Sequence, residues 1–258
     1  MTTSESLGES LALTFFKQAR HLSPKTVGLT TLIRAIATKD VSVNVLELGA
    51  QRSLSKFSLF TDGWSSLVFG TSHDSVGSYR SADIADTSCF ERIIDPPFNT
   101  NERRVPYFPD QVCALQFIAG PELKLFDPFP DLIYLDGPND QMFTNDVLSY
   151  LIPAIEKSNQ AVYLLIDDVE VKLARPQKII QCLIRRGFEL RHITHTYTVQ
   201  NHIEQLEKPD FQLTVDQLLL VWPCEVGGLA KAKRVANQWK KAVTGISTVK
   251  LDEKLFVL

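Results

Sequence analysis

Acidic residues stand at or just past the ends of several apolar runs in this 258-residue chain: Glu47, Asp74, Asp136, Asp167 and Asp168. In an open parallel sheet, ligands bind beyond the carboxyl ends of the strands. Acids at several strand ends therefore point to one edge that carries chemistry. The sharpest subset is Asp136, Asp167 and Asp168. Neighbouring parallel strands lie about 4.8 Å apart, so adjacent strands ending at 135 and 166 could aim these carboxylates at one cation. Mg²⁺ takes oxygen ligands and keeps open positions, and such an ion would hold a substrate hydroxyl and lower its pKa. Adjacent Asp167 and Asp168 would face opposite ways on a regular strand, so both serve one ion only if the strand has already ended. Each acid taken alone also suits a turn or a helix N-cap. His73, beside Asp74, is the histidine best placed for acid–base work.

The elements that position these residues follow from pattern. The first ten residues are polar and expected to fray, and 11–20 suit a short helix. Ser23-Pro24 reads as an N-cap followed by proline at the first helical position. VNVLEL (43–48) is a strand ended by Gly49, and Ser53 to Phe60 is the helix after it. SLVFGT (66–71), Val112 to Ile118, LIYL (132–135) and AVYLLI (161–166) read as further strands. Residues 143–157 form a helix that Pro153 should kink or end. Residues 177–186 form a helix stopped by Gly187. The late runs 188–198 and 214–222 read as an antiparallel pair at one edge. Strands alternating with helices imply a doubly wound, mostly parallel α/β sheet, with the strand at 43–48 in its centre.

In this order VNVLELGAQRSLSKF, SLVFGTSHDS, DLIYLDGPND and AVYLLIDDVE resemble the motifs of the class I S-adenosylmethionine-dependent methyltransferases, from about Ser23 to Trp222. The aspartate after one strand and the Asp-Asp after the next are most similar to the metal-dependent O-methyltransferases. The resemblance implies a Rossmann-like, seven-stranded sheet with an antiparallel edge. It also implies S-adenosylmethionine bound by Glu47, Gly49, Arg52 and Ser53, with the ribose near Ser72 and Asp74. By that match Asp136, Asp167 and Asp168 would be Mg²⁺ ligands with Asp136 catalytic, while His73, from its place at a strand end, is the alternative catalytic candidate, with Asp140 the other. The expected reaction is methyl transfer to a hydroxyl of a small molecule. The chain departs from the pattern at Gln51, where a second glycine is usual, at Ser72, where an acid is expected, and at Ala119-Gly120-Pro121, where no acid follows the strand. These departures support the alternative of a non-catalytic, methyltransferase-like binding or scaffold protein.

Composition bounds the remaining classes. Hydrophobic residues at 44% and charged residues at 22% suit a globular chain. A net charge of −3 provides no global field to recruit nucleic acid. No run approaches the roughly 18 apolar residues of a membrane span, and no secretory leader opens the chain. Four cysteines without a CxxC pair read as reduced thiols of a cytoplasmic protein. His192 and His195 should lie on opposite faces of a strand, against a zinc cluster. Residues 229–243 form a helix with one apolar face and a basic remainder, expected to dock on the domain. No GxGxxG, GxSxG, HExxH or P-loop sequence occurs, which leaves nicotinamide, hydrolase and NTPase chemistry without a motif. The expected layout is an extension over 1–22, a methyltransferase-like domain over 23–226 with an insertion or lid near 75–111, and a helix and tail over 227–258. The sequence leaves a homo-oligomer open.

Overall fold

The computed structural model describes residues 3–49, 56, 58–61, 64–72, 74–82, 129–137, 145, 147–169, 174–203, 209–223 and 228–256. In chain order the strands are β1 (Val43–Leu48), β2 (Val76–Ala82), β3 (Leu132–Leu135), β4 (Val162–Ile166), β5 (Glu189–Asn201), β6 (Phe211–Trp222) and β7 (Thr248–Leu251). The helices are α1 (Thr3–Ala19), α2 (Pro24–Ile36), α3 (Ser58–Thr61), α4 (Ser65–Thr71), α5 (Ile152–Lys157), α6 (Ala174–Arg185), α7 (Gly228–Thr244) and α8 (Glu253–Phe256), with a 3₁₀ turn at Arg20–Leu22.

The strands form one seven-stranded sheet in the order β2-β1-β3-β4-β6-β5-β7. All neighbours are parallel except those of β6, which runs antiparallel to both β4 and β5. Apolar runs such as LIYL and VYLLI are buried on both faces because helices cover both faces. Val43, Val45, Leu132 and Leu165 pack against α1, α2, α4 and α7. Leu46, Leu48, Ile133, Leu135, Leu164 and Ile166 pack against α5 and α6 on the other side. The doubly wound, mostly parallel α/β architecture is thus present, and β1 lies inside the sheet between β2 and β3. Among the described residues no helix is long and apolar enough to cross a membrane.

Several elements differ from their sequence patterns. Residues 65–71 are the helix α4, not a strand. The strand beside β1 is 76–82, which opens the segment expected to be an insertion; the rest of that segment, and the strand expected at 112–118, lie outside the described residues. The helix α1 begins at Thr3, and its Ala12, Phe15, Phe16 and Ala19 are buried in the main core. The helix before β4 opens as a π-helical turn at Val147–Leu151, just ahead of Pro153. Proline has no N–H to continue the ladder, and its ring crowds the preceding turn. The four-residue strand β7 extends the sheet beyond β5.

The Ser23 side chain accepts the Thr26 N–H, so α2 starts where its cap residue predicts. The helix then lies against α7 at Gly28, where an added Cβ would come within 2.6 Å of Val243 Cγ2. Gly28→Ala is expected to destabilise the fold by about 1–3 kcal/mol through overpacking. Urea unfolding should show part of that loss recovered in Gly28→Ala/Val243→Ala. An unchanged unfolding midpoint in the single variant would contradict this close approach.

Candidate functional site

The strand order reverses direction between β1 and β3: the chain leaves β1 for β2 on one side, whereas β3 and β4 lie on the other. Such a switch point opens a crevice at the carboxyl edge of the sheet. Here the two strand ends touch. The Asp136 N–H donates to the Leu48 carbonyl at 2.8 Å. Gly49 follows with φ of +90°, and a Cβ there would lie 2.2 Å from the Asp136 carbonyl oxygen. Glycine is required twice over, by the positive φ and by the neighbouring backbone.

Three of the expected acids meet at this edge. Asp167 follows β4 and is fully buried. Its Oδ2 accepts from Lys25 Nζ at 3.0 Å and from the Tyr134 hydroxyl at 2.5 Å. Its Oδ1 accepts from Gln217 Nε2 at 3.1 Å and from the Asp168 N–H at 3.0 Å. Burial opposes ionisation of Asp167, but the Lys25 ammonium and these hydrogen bonds outweigh it and hold the carboxyl below the usual range. Burial also opposes the charge on Lys25, yet Asp167, Asp168 and Asp136 together raise its pKa above the ordinary lysine value. Asp168 adopts a left-handed φ of +52°, which ends the strand and turns its largely exposed side chain to within 3.6 Å of the same ammonium.

Asp136 behaves in the opposite way. Among the described residues its carboxylate has no hydrogen-bond partner. Burial first, and then the charge of Asp167, push its pKa well above the usual carboxylate range, against the pull of Lys25. Among the described residues the edge therefore carries three carboxylates and one ammonium, with the Asp136 carboxyl made the more basic and the Asp167 carboxyl the more acidic.

These contacts test the expected Mg²⁺ site, and the donor set does not fit it. Both Asp167 oxygens are engaged by protein donors, and the Lys25 ammonium stands where the carboxylates converge. A divalent ion would have to displace a buried lysine. Among the described residues no cluster of three or more metal-ligating side chains is formed.

The remaining expected residues are dispersed. Glu47 is fully buried behind the edge, where Ser65 donates to its Oε1 at 2.5 Å and Ser66 to its Oε2 at 2.8 Å, and the Tyr79 hydroxyl also donates to Oε2. That carboxylate joins β1 to α4 and β2. Trp64, at φ +47° ahead of α4, stacks on Phe16 with ring centroids 6.0 Å apart and fixes where the two serines begin. Ser72 and Asp74 precede β2, because 65–71 is helical, so they lie at the amino edge of the sheet, opposite the crevice. Gln51, Arg52, Ser53, His73 and Asp140 lie outside the described residues. His192 pairs with Asp216, and His195 with the Ile246 carbonyl. Lys25, Tyr134 and Gln217 escaped the sequence reading. A lysine in the first turn of a helix opposes the helix dipole, and that misfit is the one signal it leaves.

No protein-family model matches the sequence, and no curated protein sequence matches it. Among solved structures, the chain is similar to a precorrin-6Y C5,15-methyltransferase from Geobacter metallireducens: 14% identity over 77% of this chain and 87% of that one, TM-score 0.46. It is similar to a precorrin-8W decarboxylase from Methanobacterium thermoautotrophicum: 11% identity, 74% and 87% coverage, TM-score 0.42. A third similarity is to a protein assigned as an RNA methyltransferase from Pyrococcus horikoshii: 15% identity, 85% and 98% coverage, TM-score 0.42.

Two outcomes follow from the charges at the edge. Lys25→Met leaves Asp167 charged and buried without its counter-ion and is expected to cost about 3–5 kcal/mol. The raised pKa of Asp136 means that its effect on stability is favourable in acid and is lost as pH rises through the folded-state value. Asp136→Asn should therefore raise the unfolding free energy at pH 8 and give no gain at pH 4. Urea titrations at the two pH values check both.

Proposed function

We propose that this chain is an S-adenosylmethionine-dependent methyltransferase that acts on a hydroxyl of a small molecule, with Asp136 as the general base. The observation that carries the reading is Asp136 itself: a half-buried carboxylate with a raised pKa, without a hydrogen-bond partner among the described residues, at the switch-point crevice beside the Gly49 turn. The donor set suits the cofactor, because an edge richer in carboxylates than in cations favours a ligand that carries a sulfonium and an ammonium. Gly49 and Asp136 would line its site, with Arg52 and Ser53 contributing from the turn. When bound, S-adenosylmethionine supplies an electrophilic methyl group.

The protein's own part is acid–base and positional. Asp136 would take the proton of the substrate hydroxyl, and the bound cofactor would supply the methyl group by breaking its sulfonium–methyl bond and leave as the thioether S-adenosylhomocysteine. A carboxylate whose pKa lies nearer neutrality than an ordinary aspartate accepts that proton more readily. The bonds to Asp167 hold it ionised, and its negative charge keeps Asp136 basic. Lys25 stabilises the cluster without the need for a divalent ion, so activity in a strong chelator is expected. His73 is retained as a second acid–base candidate. Gln51, in place of a glycine in the first turn, favours the alternative of a methyltransferase-like binding protein with no catalysis.

Calorimetry with S-adenosylmethionine and S-adenosylhomocysteine, with tritium transfer from methyl-labelled cofactor to catechols, phenols and sugar alcohols, tests the proposal. Wild type is expected to bind both ligands in the presence of EDTA. Asp136→Asn should keep binding within about threefold and lose about 10²–10⁴ in transfer rate. Absence of binding at millimolar ligand would overturn the methyltransferase reading. Undiminished transfer in Asp136→Asn would overturn the role of the base.

A further inference from the structure

We infer a second binding site, for the phosphate group of a small phosphate monoester, on the outer face of α2. A cavity of about 250 Å³ opens there, lined by Arg20, His21, Thr26, Thr30, Thr31 and Arg34. It contains two arginines and a histidine and no acid. Among the described residues neither guanidinium forms an ion pair or a hydrogen bond with a side chain or carbonyl. Two arginines that line one hollow, without an ion-pair partner among the described residues, favour an anion there. The planar fork of arginine matches the oxygens of a phosphate in a bidentate way. Thr30 and Thr31 add half-buried hydroxyls that donate to an anion.

A second hollow of about 150 Å³ shares Arg20, Thr30 and Arg34 and continues to Thr71, Ser72, Asp74 and Ser75. The Asp74 carboxylate disfavours phosphate in that part. Serine and threonine hydroxyls beside a carboxylate suit the hydroxyl groups of the rest of such a ligand, a sugar for example. The two hollows adjoin through Arg20, Thr30 and Arg34, which suits a ligand with a phosphate at one end and hydroxyl groups at the other.

The site is separate from the switch-point crevice and does not depend on the methyltransferase reading. Arg34 lies nine residues along α2 from Lys25, about 14 Å at 1.5 Å per residue. Lys25 belongs to the carboxyl edge of the sheet, and Ser72 to Ser75 belong to the amino edge. The Lys25 ammonium turns to Asp167 and does not line the hollow, although its neighbour Thr26 does.

The test is amide NMR titration of the full chain with inorganic phosphate, ribose 5-phosphate and, separately, a short single-stranded RNA. Wild type is expected to show shifts at residues 20–34 with both phosphates, ribose 5-phosphate binding the more tightly. Arg20→Ala and Arg34→Ala should each weaken binding about tenfold, and the double variant should abolish it. Arg34→Lys should weaken it by a smaller factor, because charge remains but the fork is lost. All substitutions fall on exposed side chains, and unchanged thermal melts confirm that the variants fold. Absence of shifts at about 10 mM of either phosphate, or equal binding by the double variant, would overturn the site. RNA binding at residues 20–34 that ribose 5-phosphate does not displace would overturn the assignment to a small monoester.

Discussion

The ion pair between Lys25 and Asp167 is the contact on which the candidate site depends. It ties the first turn of α2 to the end of β4, and through Tyr134 and Gln217 the same carboxylate reaches β3 and β6. A buried ion pair of this kind is seldom a large net source of stability, because removing both charges from water costs about as much as their attraction returns. Its consequence here is positional. It holds α2 over the sheet edge, keeps Asp167 ionised and, through that charge, makes Asp136 a weaker acid than a lone aspartate.

The fold supplies the place for this arrangement. Because β1 and β3 are adjacent but lead to opposite sides of the sheet, their ends form a switch point of the kind at which ligands bind. Gly49 brings the first turn against the backbone of Asp136. Glu47 then secures the layer behind it by drawing Ser65, Ser66 and Tyr79 onto one buried carboxylate. A fold of this kind does not fix a function, which rests on the side chains at the edge.

Much of this was legible in the sequence, for identifiable reasons. The runs VNVLEL, LIYL and VYLLI are apolar throughout because both faces of the sheet are covered, so strands and their terminal acids stand out. Ser23-Pro24 and Gly187 mark helix ends through cap geometry and positive φ. The run SLVFGT misled because a short apolar stretch fits a buried helix as well as a strand. Helical geometry is what lets adjacent Ser65 and Ser66 reach one carboxylate, which a strand forbids. β2 was overlooked because VGSYRSA has only part of one face apolar, and β7 because four residues give too short a pattern. The convergence of three aspartates was legible. The cation they converge on was not, because Lys25 lies 142 residues from Asp167 in the chain.

The central claim is that one ammonium divides these carboxylates into an Asp167 held below the ordinary carboxylate range and a more basic Asp136 raised above it. Carboxyl ¹³C NMR titration of the aspartates, assigned with Asp136→Asn and Asp167→Asn, measures this directly. Asp136 is predicted to titrate well above, and Asp167 below, the ordinary carboxylate range, and Lys25→Met should move Asp167 upward. Both residues titrating at ordinary values, unmoved by Lys25→Met, would contradict the account.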